Sequence, residues 1–234
     1  MGLGFGGLFV PGREFNVNYD WLDLSSTLGF VSFDGFASFD STGVKYHLIR
    51  STDRTSVFSV TSYVDSTTIS LTNTASASSD YTTLTKALDL DFDSLSFQLP
   101  ATIKGLCYVN GHFSFEGVDS GNIALYVIAR LRKWDGTTET ELESVQSSTG
   151  TFSNSTAGAS GEVPFSVTMD VSPSVTFKVG ETLRLTIELW ADSSADTTTQ
   201  VNLAHDPQNA AESSAAFTAG NTRLICVVPF KTIL

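Results

Sequence analysis

Apolar residues recur at every second position along most of this chain, and that period of two constrains everything else about how it folds. From Asn122 to Trp134, residues Ile123, Leu125, Val127, Ala129 and Leu131 fall on one side, while Tyr126, Arg130, Arg132 and Trp134 fall on the other. Successive side chains of a strand point to opposite faces, so this run predicts a strand with one buried and one solvated face. It breaks at Asp135-Gly136, a hairpin signal. Val175, Phe177 and Val179 then lead into a turn at Gly180-Glu181. Beyond it Leu183, Leu185, Ile187 and Leu189 face inward while Arg184, Thr186, Glu188 and Trp190 face outward, which predicts a second long strand pair. The final run, Thr222 to Phe230, is apolar in both phases, with Leu224, Cys226, Val228 and Phe230 in one and Ile225 and Val227 in the other. Two-sided apolarity suits a central strand or one covered by another subunit. Between Leu88 and Pro100 the phase flips, predicting a bulge near Asp93-Ser94. Ile103 to Phe115 reads as one long strand or a pair kinked at Asn110-Gly111.

No amphipathic helix longer than about two turns fits the pattern, and no fixed-period repeat occurs. The predicted fold class is therefore all-β, an antiparallel β-sandwich. About eight strands over residues 86–234 would complete a jelly roll by themselves, with residues 15–85 adding strands and loops and residues 1–14 forming a Gly-rich arm. The Ser- and Thr-rich stretches Thr72 to Thr85 and Ser147 to Gly161 read as long surface loops.

Charge narrows the function. Asp and Glu total 25 against 13 Lys and Arg, a formal net charge of -12, which repels a phosphate backbone, so no direct nucleic-acid partner is expected. Charged residues are only 16% of the chain, leaving the surface to Ser, Thr, Asn and Gly. No run approaches the ~18 apolar residues of a membrane span. The opening MGLGFGGLFVPGREF has neither the basic start nor the long apolar stretch of a signal peptide, and Gly6 stands where myristoylation wants a hydroxyl. Cys107 and Cys226 both sit in apolar runs and are expected as free buried thiols rather than a disulfide.

The candidate site residues fall into three groups. In the arm, Leu3, Phe5, Leu8, Phe9 and Val10 are too few to form a core of their own and need a surface to dock on. That surface is either a neighbouring subunit, in which case removing residues 1–13 impairs assembly more than folding, or the arm's own domain. Asp89, Asp91 and Asp93 alternate onto one strand face, a density of hard oxygen ligands able to take calcium, but the Gly and terminal Glu of the usual calcium loop are missing; a solvated strand face is the plainer expectation. Trp21, Trp134 and Trp190 lie where alternation can turn them outward, as a platform for sugar rings or as interface padding. His47, His112 and His205 show no zinc spacing. His205-Asp206-Pro207 reads as a turn, with no nucleophile elbow to make it part of a triad. Glu139, Glu141 and Glu143 alternate with Thr and Leu after the hairpin, as a solvent-facing edge strand does. The sequon Asn154-Ser155-Thr156 sits in a Ser-rich stretch and carries little weight without an export signal. No enzyme activity and no cofactor beyond that calcium are expected.

Three segments together carry a family resemblance: VGETLRLTIELW from Val179 to Trp190, AHDPQN from Ala204 to Asn209, and TRLICVVPF from Thr222 to Phe230. They resemble the closing strands of jelly-roll virion structural proteins of phages and archaeal viruses. The resemblance implies a capsid, vertex or turret, or decoration subunit located in the virion. Such a subunit associates with itself and with other virion proteins. The alternative is a β-sandwich module that binds a host-surface glycan or receptor, tested by replacing Trp134 or Trp190.

Overall fold

A strand whose inner positions are Ile123, Leu125, Val127, Ala129 and Leu131 has to bury that side, and in the computed structural model all five are fully buried. The structure describes residues 29–40, 43–51, 74–118, 121–154, 159–193, 198–205 and 223–230. In chain order the strands are β1 (Phe30–Asp40), β2 (Gly43–Arg50), β3 (Thr74–Ser79), β4 (Thr85–Asp93), β5 (Ala101–Val118) and β6 (Gly121–Trp134). They continue with β7 (Glu139–Gln146), β8 (Gly150–Asn154), β9 (Ala159–Phe177), β10 (Thr182–Ser193), β11 (Thr199–Ala204) and β12 (Ile225–Pro229). No helix occurs among the described residues, so none long and apolar enough to cross a membrane is present there.

The chain is an antiparallel β-sandwich, and its hydrogen-bonded path runs β3-β11-β5-β12-β1-β2-β4-β10-β6-β7. Two long strands organise it. β5 pairs along one edge with β9, and its other edge is divided between β11 (Phe113 to Glu116) and β12 (Tyr108 to Asn110). β6 repeats the scheme, pairing with β10 along one edge and dividing the other between β7 and β8. The halves are joined through β1 and β2 and a short parallel contact of β2 with β4, Tyr46 to Phe92 and His47 to Asp93. Side chains from both halves meet in one core, where Leu183, Leu185, Ile187 and Leu189 of β10 are fully buried together with Cys107 and Val109 of β5 and Met169 of β9.

The hairpin at Asp135-Gly136 forms as its residues dictate. Gly136 takes φ 97°, a conformation costly for a residue with a Cβ, and the Asp135 carboxylate accepts from the Thr137 and Thr138 amides at 2.8 and 2.7 Å. β7 is a solvent-facing edge with Glu139 and Glu141 exposed. β12 is a central strand, between β5 and β1.

Three local expectations change. The run through Val179 and Gly180 does not join two paired strands, because β9 pairs with β5 whereas β10 pairs with β4 and β6; the chain crosses here between halves of the sandwich. The phase flip after Phe92 is a strand end rather than a bulge. β4 stops at Asp93, yet the chain stays docked on β10 through Ser94 N–H to Leu183 O and Phe97 N–H to Glu181 O, each 2.9 Å, leaving Leu95 89% exposed and Phe97 buried. The bulge lies instead at the far end of that pair, between Leu189 and Trp190. Ile103 to Phe115 lies in one strand, the first of its two readings, with a bulge between Ile103 and Gly105 and none at Asn110-Gly111. The Ser- and Thr-rich stretches, read as loops, contain β3, β8 and the start of β9, since edge strands are held by backbone bonds and need little apolar side chain. The arm residues Leu3, Phe5, Leu8, Phe9 and Val10, together with Trp21, lie outside the described residues.

Candidate functional site

The outward face of β4, β10, β6 and β7 collects the charges that alternation excludes from the core. The register sets Arg184 beside Arg132 and Asp93, Thr186 beside Arg130 and Asp91, and Glu188 beside Asp89. Arg184 grips Asp93 with two bonds, Nε to Oδ1 at 2.6 Å and Nη2 to Oδ2 at 2.7 Å, and its Nη1 also reaches Asp91 at 3.3 Å and Glu139. Its guanidinium stacks over Trp134 at 4.6 Å from the ring centroid. Arg130 donates from Nε to Glu188 at 3.1 Å and from Nη1 to Glu141 and Ser144 at 3.0 and 3.1 Å, while Arg132 donates to Glu139 at 2.9 Å. Trp190 stacks on Tyr126, with centroids 6.2 Å apart and planes at 7°, and its indole N–H donates to Glu188 at 3.0 Å.

Electrostatics lock this lattice. Hydrogen bonds to Asp93, then Glu139, hold the Arg184 guanidinium above its already high range against the opposing effect of burial. Burial works to raise the Glu188 carboxyl, but bonds from Arg130 and Trp190 outweigh it and leave Glu188 below the ordinary carboxylate range. Asp89, Asp91 and Asp93 share one face as alternation requires, but each faces a cation of the protein: Lys86 for Asp89, Arg184 for Asp91 and Asp93. A calcium ion at this position would have to displace the guanidinium. Among the described residues no group of three or more His, Cys, Asp or Glu is arranged to hold a metal.

A second face has the opposite character. On the outer side of β5 and β12, Leu106 is 46% and Tyr108 36% exposed, and Ile225, Val227 and Pro229 are half-buried beside them. Val227 stands across from Tyr108 on one side and Ser32 on the other. A bidentate pair borders the strip, with Arg223 on buried Asp34 at 2.6 and 3.1 Å. The final strand announces its share of this strip in the sequence. Leu106 and Tyr108 carry a fainter signal, being out of phase with the core positions Cys107 and Val109.

The remaining chemistry-bearing side chains are dispersed. Cys107 and Cys226 are free, fully buried thiols; burial, aided by the charge of Asp170, pushes Cys107 up to about 12, and burial with Cys107 nearby raises Cys226. His112 Nε2 lies 3.8 Å from Glu162. His205 sits 1% exposed against the rings of Tyr46 and Phe92, with centroids 5.4 and 6.1 Å away; the rest of its expected turn, Asp206-Pro207, lies outside the described residues.

Fold and faces together define an all-β sandwich with one surface closed by its own ion pairs and another left apolar. No family model matches the sequence, and no curated protein matches it. Solved structures with some likeness include an α-amino acid ester hydrolase (13% identity, TM-score 0.38, covering 62% of this chain and 26% of that one). Others are a CocE/NonD family hydrolase from Staphylococcus aureus (13%, 0.38, 69% and 34%) and the VP2 subviral particle of infectious bursal disease virus (13%, 0.30, 71% and 37%). This chain thus spans between 26% and 37% of the length of those chains. Hydrolases and a virus shell match it equally weakly, so the likeness separates neither class.

Proposed function

We propose that this chain is a jelly-roll virion structural protein, a capsid, vertex or decoration subunit that works by self-assembly and by contact with other virion proteins. The observation that supports this reading is the apolar strip of Leu106, Tyr108, Ile225, Val227 and Pro229, which occupy adjoining positions on the outer face of β5 and β12. Burying such a strip against another subunit is what a surface-driven protein does with it. The test is the absolute mass of the full chain by light scattering over a range of concentrations. Assembled wild type and a dissociated Val227→Glu variant are expected; a wild type that stays monomeric throughout removes the reading.

A second reading, a glycan-binding module, has one observation in its favour, the Tyr126–Trp190 stack on the charged face. Against it, Glu188, Arg130 and Arg184 already spend their hydrogen bonds within the protein. Trp190→Ala abolishing binding to a glycan that the wild type captures would establish it.

A further inference from the structure

Besides Met1, three residues of this chain carry sulfur: Cys107, Met169 and Cys226. All three are fully buried. The described core holds 37 buried apolar residues, yet the fold sets these three, from three different strands, at adjoining positions.

The register fixes their arrangement. Cys107 of β5 stands directly opposite Met169 of β9, and in an antiparallel pair such side chains leave the sheet on the same face, with Cβ atoms about 4.5–5.5 Å apart. On the other edge of β5, Cys226 of β12 stands opposite Val109. Val109 is two residues on from Cys107, so Cys226 projects from that same face as the diagonal neighbour of Cys107, within about 7–8 Å. The thiols are close enough for Cys107 to help raise the pKa of Cys226. Cys107 is the middle member of the three, and the methionine, with three rotatable bonds and a polarizable thioether, adapts to the longer reach.

Two thiols and a thioether are donors of one chemical kind, and soft sulfur donors select Cu(I) over harder ions. Along the same face the sulfurs are flanked by Val109, Val167, Val171 and Val228, all buried. Charge decides between soft ions. Structural zinc is divalent and takes four ligands; with these three it would be one short, and would need both thiolates to lose its charge. A monovalent ion becomes neutral with a single thiolate, the state an apolar interior tolerates.

We propose that Cys107, Met169 and Cys226 form a three-sulfur site for Cu(I), which pins β9 and β12 to the two edges of β5. On binding, the S–H bond of one cysteine breaks, a Cu–S bond forms, and the proton leaves to solvent. The second thiol and the thioether give lone pairs with no bond broken, and copper stays Cu(I). The S–H of Cys107 reaches the Gly105 carbonyl only at 3.9 Å, so little hydrogen bonding is lost with its proton. The Asp170 charge that helps raise the Cys107 thiol has the sign that favours an arriving cation. The site lies in the core and does not depend on self-assembly.

In the experiment the full chain is held without oxygen in urea below its unfolding transition, where the core opens transiently. Cu(I) is supplied as the complex of a coloured chelator. Transfer is read from the chelator's absorbance, and the copper retained after desalting is measured by metal analysis. Wild type is expected to hold one Cu(I) per chain, with three sulfur scatterers in copper X-ray absorption, and to keep it against an equal concentration of Zn(II). Cys107→Ala and Cys226→Ala each leave the copper with the chelator. Met169→Leu nearly conserves volume and costs the metal-free fold little, but weakens binding about tenfold or more. Wild type that takes up no copper, or yields it to zinc, overturns the site. So does Met169→Leu binding as tightly as wild type, which would reduce the site to two thiols. If a cysteine variant fails to fold, Met169→Leu decides alone.

Discussion

Replacing Arg184 by Met tests whether the charged face is a structural brace. The side chain of Arg184 is 13% exposed and that of Asp93 31%, so their paired bonds sit in a partly desolvated setting where hydrogen bonds to charged groups contribute about 1.5–3 kcal/mol. Asp91 and Glu139 are 40% and 33% exposed, and solvent discounts their share to a few tenths of a kcal/mol each. Methionine keeps much of the contact with Trp134 while losing the cation–π attraction, about 0.5–1 kcal/mol. The sum is about 3 kcal/mol, and for a chain of this size that lowers the thermal midpoint by about 6–12 °C. Differential scanning calorimetry of both proteins checks it. Repetition at about 0.5 M salt should narrow the gap, because exposed members of the lattice are screened. A variant melting within about 2 °C of wild type would refute the brace and return the face to the pool of candidate binding surfaces.

Four further outcomes follow from the same geometry. Millimolar calcium should leave the melting midpoint of the wild type unchanged and raise that of Arg184→Met, in which Asp91 and Asp93 lose their guanidinium. Because Glu188 is held below its unfolded value, its contribution is present above the ordinary Glu value of about 4.3 and is lost as pH falls through the lower folded one. Chemical denaturation from pH 6 down to 3 should therefore show a shallower loss for Glu188→Gln than for wild type. Cys107, with its thiol pushed up to about 12, and the more deeply buried Cys226 should resist a disulfide reagent at pH 8 in the folded protein, and both should react once denaturant is added. Gly111→Ala should cost about 1–3 kcal/mol in denaturant unfolding, since a Cβ there would lie 2.8 Å from the ring of Phe165 and 3.0 Å from Leu224; Phe165→Leu should recover part of it.

Gly111 also marks the boundary of what one sequence discloses. In the chain Asn110-Gly111 looks like a kink, because glycine inside a strand run usually signals a break or a close approach, and nothing local distinguishes the two. Here the cause is distant: Phe165 on β9 and Leu224 before β12 press against the backbone from other parts of the chain. The same division holds for the charged face. Alternation turns Arg184, Arg130 and Glu188 outward from the sequence alone, but the partnership of Arg184 with Asp93, 91 positions away, depends on β4 lying beside β10, a neighbour that periodicity does not name. Pairing between distant strands likewise explains why Val179 and Gly180 look like a hairpin and are a crossing between the two halves: the turn chemistry is local, the choice of partner is not.

That distinction bears on assembly. The β5–β12 strip is defined by what is missing beside it among the described residues, which is cover. In isolation a stretch such as Thr-Ala-Ser-Ala-Ser-Ser reads as a loop, because its alternation is between small residues and has almost no amplitude. Once β11 fixes its register over six pairs, the same stretch is a strand held by backbone bonds, and so is β7, with three glutamates in eight residues. A charged edge strand such as β7 and an apolar outer face on the central strand β12 differ in the partners they can accept.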